Sequence, residues 1–105
     1  MSEIIHNKLV RDRIPEIIAS AGKQAVTRVL SEEEYIAELD RKLDEECAEY
    51  HADRSLEELA DVLEVLYAIA AARGHNVEEL ELVRAAKAEK HGGFADRIFL
   101  EKVVE

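Results

Sequence analysis

Apolar residues recur along much of this chain at steps of three and four, the spacing that lines one side of a helix. In residues 32–52 the stripe is Ile36, Leu39, Leu43, Cys47 and Tyr50. In residues 56–73 it is Leu59, Val62, Leu63, Leu66, Ile69 and Ala70, with a second stripe of Val65, Ala68 and Ala72. Two apolar stripes on one helix predict that it is buried on more than one side. A third long helix is predicted over 77–91.

Each of these helices has a start signal. Ser31 with Glu34, Ser55 with Glu58 and Asn76 with Glu79 have the capping-box spacing, a polar cap answered three residues later by glutamate. Gly74 and the pair Gly92–Gly93 are natural stops. Upstream, HNKLVRDRIPEIIASAGK predicts an extended lead-in and a short helix, opened near Pro15 and ended near Gly22. QAVTRV at 24–29 is β-branched, and the tail FADRIFLEKVV alternates weakly. The expected fold is therefore all-α, a bundle of about four helices in one domain over 1–105, with room for one short β-pairing between residues 24–29 and 97–100.

Composition narrows the functional classes. One proline and four glycines in 105 residues are too few turn residues for an all-β fold. No apolar run reaches the length of a membrane span, and no signal-peptide core opens the chain. A single cysteine, Cys47, forms no internal disulfide, so the expected compartment is cytoplasmic. The four histidines are scattered, without zinc-ligand spacing. The formal charge of −10 argues against a nucleic-acid partner.

That charge is unevenly placed: residues 31–64 carry 14 acids against 3 bases, whereas residues 1–30 are net positive. Within the acidic stretch, Glu46 and Glu49 are three apart, as are Glu58 and Asp61, so each pair occupies one helical face. Both pairs border apolar stripes, where an isolated ionised carboxylate is costly. A helical hairpin through HADRS would bring the pairs together, and four converging carboxylates suit a hard divalent cation, Mg2+ or Mn2+. Ordinary alternatives fit the same residues. Glu58 closes a capping box, Lys42 and Glu46 make an i, i+4 pair, and the remaining acids are solvated.

The acidic residues EExxE (Glu45, Glu46, Glu49) followed by ExxD (Glu58, Asp61), with NKLVRDRIPEII at 7–18 and KHGGFADRIFLE at 90–101, resemble the all-α nucleoside triphosphate pyrophosphohydrolases. That superfamily includes the MazG-like proteins, the dimeric dUTPases and phosphoribosyl-ATP pyrophosphohydrolase. The three segments together look like its small, single-domain MazG-like house-cleaning branch. The resemblance implies a homo-oligomer, dimer or tetramer, and Mg2+-dependent cleavage of a nucleoside triphosphate to monophosphate and pyrophosphate. By motif position, Glu46, Glu49, Glu58 and Asp61 would ligate metal, and Glu45 and Glu46 would be catalytic, Glu45 binding a second ion or orienting water. Phosphate-binding cations are then expected from Lys8, Arg11 and Arg13 and from Lys87, Lys90 and Arg97. Two other expectations stand beside this one: phosphoribosyl-ATP pyrophosphohydrolase of histidine biosynthesis, and a non-enzymatic helical dimerisation module.

Overall fold

The computed structural model describes residues 2–105 as four helices: α1 (Ile14–Ser20), α2 (Glu32–Asp53), α3 (Leu56–Ala72) and α4 (Val77–His91). The all-α expectation holds, and the three long helices begin and end within a residue of where the capping signals put them. Ser31 and Asn76 form complete capping boxes: each side chain accepts from the backbone N–H three residues on, and Glu34 and Glu79 reach back to the cap N–H. Acids in the first turns of α2, α3 and α4 add favourable dipole interactions. Gly74 and Gly92, just past α3 and α4, have φ of +87° and +84°, which a residue with a Cβ adopts only under strain.

Helices α2 and α3 make an antiparallel hairpin with only Arg54 and Ser55 between them. Arg54 caps α2 in the left-handed region at φ +58° and donates its N–H to the Tyr50 carbonyl. At the open end of the hairpin, Arg73 reaches Asp40 across 3.6 Å. The core lies along this seam, where Leu39 of α2 is 3% exposed and Val65 of α3 is 8% exposed. Helix α4 leans against the far end of α3, leaving a shallow groove of about 190 Å³ lined by Leu63, Leu66, Tyr67, Val77 and Leu80.

Two expectations are corrected. The residues 24–29 and 97–100 do not pair, and no strand occurs among the described residues. Both segments are chain without helix or ladder, and Val26, Val29, Ile98 and Phe99 project into solvent. A β-branched run becomes a strand only where a partner edge satisfies its backbone, and here none lies alongside. The second correction concerns α3. Val65, assigned to its lesser stripe, faces α2, while Leu59, Leu63 and Leu66 of its main stripe remain exposed.

The result is an open shape. The radius of gyration is 18.5 Å, and the principal extents are 67 × 31 × 24 Å. A compact chain of this length would have a radius near 13 Å, by the usual scaling for single domains, about 2.2·N^0.38 Å. No helix among the described residues is long and apolar enough to cross a membrane.

Candidate metal centre at the hairpin turn

The closed end of the hairpin gathers the acids. Glu46, two turns before the end of α2, and Glu58 and Asp61, in the opening turns of α3, each offer a carboxylate oxygen, and these oxygens lie within 4.8 Å of one another. All three side chains are partly buried. The two-residue connection forces this meeting, because it leaves the last turns of α2 no direction but alongside the first turns of α3. That separation is within reach of a hard divalent cation, which takes oxygen ligands at about 2.0–2.6 Å. The donor set, three carboxylates, therefore fits a hard divalent ion.

Glu58 resolves one of the ambiguities in the sequence. Its backbone N–H donates to the Ser55 hydroxyl at 3.2 Å, so Ser55 caps α3. Its carboxylate does not complete the box by returning to the Ser55 N–H, unlike those of Glu34 and Glu79. It is committed to the acid cluster instead. Partial burial, followed by the nearby charges of Asp61, Glu49, Asp53 and Glu46, raises its pKa above the ordinary carboxylate range. A cation at this point would relieve both the desolvation and the repulsion.

Glu49 stands outside the tight group and is exposed, although its charge is felt at Glu58. Three residues advance a helix by about 300°, so a residue one turn beyond Glu46 is offset by about 60° from it. On α2 that offset carries Glu49 off the seam. Asp53 was not anticipated as a contributor. Its signal was its place as the last residue of α2, against the first turn of α3.

Cations surround the cluster. Lys42, 15% exposed in its side chain, puts Nζ 3.3 Å from Glu45 and 3.4 Å from Glu46, which is itself 14% exposed. The expected i, i+4 pair is thus present, and Lys42 also bridges to Glu45. From the lead-in segment, Lys8 approaches Glu45 at 3.8 Å and Arg11 donates to Asp61 Oδ1 at 2.6 Å. Residues 8–11 therefore lie beside the closed end of the hairpin and contact both helices. Arg13, by contrast, pairs locally with Glu16 at 3.4 Å.

The second group of expected cations lies elsewhere. Lys87 and Lys90 belong to the last turns of α4, and Arg97 sits in the following turn with φ +59°. None of the three makes an ion pair among the described residues. Around Gly92–Gly93 the turn His91–Ile98 encloses a shallow open depression with Phe94 at its rim, fully exposed.

Comparison with known proteins adds little that bears on activity. No family model matches the chain, and no solved structure matches it. A protein of Mycolicibacterium smegmatis, named only as uncharacterized, is 60% identical over 45 residues, which are 43% of this chain. The chain thus spans less than half of that relative, 46% of its length.

Proposed function

We propose that the chain is a Mg2+-dependent nucleoside triphosphate pyrophosphohydrolase of the MazG-like kind, working as a homo-oligomer. The observation that carries this proposal is the meeting of Glu46, Glu58 and Asp61 within 4.8 Å at the hairpin turn, with Lys8 and Arg11 held beside them. Carboxylates that hold a divalent ion, flanked by cations that hold phosphate, are what hydrolysis of a phosphoanhydride requires. A bound Mg2+, or Mn2+ in its place, supplies charge neutralisation of the phosphates and a more acidic water.

The remaining work falls to the chain. Glu46, Glu58 and Asp61 would hold the ion, and Glu49 adds negative charge close to Glu58. Glu45, on the adjoining face of α2, orients the attacking water. Arg11 offers a planar fork for bidentate phosphate contact, and Lys8 a point charge. No side-chain nucleophile is needed.

Oligomerisation is supported by surface area. The chain exposes 9762 Å², whereas a folded monomer of this mass exposes roughly 6,000 Å². The apolar side of α3 formed by Leu59, Leu63 and Leu66 is the natural contact. Lys87, Lys90 and Arg97, unpaired among the described residues, would then be free to serve the cluster of another copy.

The class is tested by incubating the protein with a panel of nucleoside triphosphates and Mg2+ and resolving the phosphorus products. Monophosphate with pyrophosphate is expected. Orthophosphate in place of pyrophosphate, or no turnover across the panel, overturns the proposal. One observation favours a second reading, a helical dimerisation module: Lys8, Arg11 and Lys42 already balance Glu45, Glu46 and Asp61 as ion pairs.

A further inference from the structure

Two segments remote in sequence meet at the acid cluster. Arg11 comes from the lead-in before α1, and Asp61 lies in the second turn of α3, fifty residues later. Their contact, 2.6 Å from guanidinium to Oδ1, spans more of the sequence than any other ion pair among the described residues. The other exposed pairs are local in sequence, as Arg13–Glu16 and Arg28–Glu34 are, or join the packed helices α2 and α3, as Arg73–Asp40 does. Lys8 makes a second tie of the same strap, to Glu45.

The geometry points to Arg11 as an exchangeable counter-ion of Asp61, which gives up the carboxylate to a divalent cation and is then released toward phosphate. This inference rests on the metal reading above and adds an order of events and a sign. A carboxylate oxygen accepting a charge-assisted hydrogen bond at 2.6 Å has a lone pair engaged and its charge partly neutralised. A cation entering the Glu46–Glu58–Asp61 group must displace that donor and then suffers repulsion from it. Arg11 and the ion therefore oppose each other at Asp61, although both favour a bound triphosphate.

The pair is suited to exchange rather than to permanence. Arg11 and Asp61 are 55% and 39% exposed in their side chains, the regime in which ion pairs contribute little net stability. The strap is otherwise lightly held. Residues 2–13 form no helix or strand, and no backbone hydrogen bond ties residues 8–10 to the hairpin. Lys42 does not share this role, since its side chain is nearly buried and bridges two acids of its own helix.

Removing the guanidinium should therefore strengthen metal binding, the opposite of what loss of an ordinary site residue does. Titration of the full chain with MnCl2, free ion counted by electron paramagnetic resonance, is the test. Arg11→Ala should bind Mn2+ about two- to fivefold more tightly than wild type, the range set by an exposed ion pair. Arg41→Ala removes the same charge from the outer side of α2, where Arg41 pairs with Glu38, and should leave the affinity unchanged. In wild type, Mn2+ should also speed trypsin cleavage after Lys8 and Arg11 by releasing the strap. Equal or weaker Mn2+ binding by Arg11→Ala overturns the inference, and so does equal tightening by Arg41→Ala. Failure of wild type to bind Mn2+ at all is a different result, which removes the metal reading itself.

Discussion

Leu63 offers the sharpest test of the open apolar side. It lies at the centre of the exposed stripe of α3 and is 44% exposed. Burying a leucine completely is worth about 1.5–3 kcal/mol, so covering the remaining 44% contributes about 0.7–1.3 kcal/mol per copy. In a symmetric pair the loss counts twice. Leu63→Ala improves helix propensity while removing apolar area, and it should weaken association by about tenfold or more. Leu63→Asp adds the several-kcal/mol penalty of desolvating a carboxylate, which moves the dissociation constant by about a thousandfold or more. Sedimentation equilibrium reads the result. Wild type should show two or four times 11.9 kDa, and Leu63→Asp should shift toward 11.9 kDa with reduced helicity. A wild-type mass of 11.9 kDa at every concentration, with cooperative unfolding, would refute the reasoning from exposed area.

Two further outcomes follow from the charges. Glu58→Gln removes a carboxylate whose folded pKa is raised, so its ionised form is less favourable in the folded than in the unfolded chain. The variant should have a higher Tm than wild type at neutral pH and should lose any Tm gain from added Mg2+, both measurable by thermal melts. For wild type the same linkage means that Glu58 itself opposes folding above its raised pKa and ceases to do so as pH falls toward the unfolded value. Glu34 has the opposite sign: the hydrogen bond from Arg28, with those of Ser31, lowers its pKa to about 2. Its contribution is complete above about pH 4.5 and is lost as pH falls from there toward 2. Acid titration of helicity should show Arg28→Ala less stable than wild type at pH 6, with the gap closing below pH 3 or so.

The elements were legible where local chemistry decides them. Ser31, Ser55 and Asn76 each cap the helix they announced, because a side-chain oxygen three residues from an orphan N–H acts without help from the rest of the fold. The faces were less legible. Counting apolar residues on α3 gave Leu59, Leu63 and Leu66 precedence over Val65, yet the two-residue turn at Arg54–Ser55 sets which side meets α2. Within the site, Glu46, Glu58 and Asp61 converge as their spacing suggested, and Glu49 does not, because its offset around α2 takes it off the seam. The docking of Arg11 on Asp61 joins residues with no local relation, and no periodicity carries such a signal. The same holds for QAVTRV, whose β-branched composition says nothing about whether a partner strand exists.

Asp61 and its neighbours are proposed to hold a divalent ion that drives hydrolysis. Wild type and Asp61→Asn should be compared side by side for Mg2+-dependent pyrophosphate release, with circular dichroism of both. Asn keeps the size and polarity of the side chain but removes the charge, which in metal-assisted chemistry lowers turnover by about a hundredfold or more. Loss of turnover with helicity intact is the predicted result. Wild-type turnover in Asp61→Asn would contradict the account.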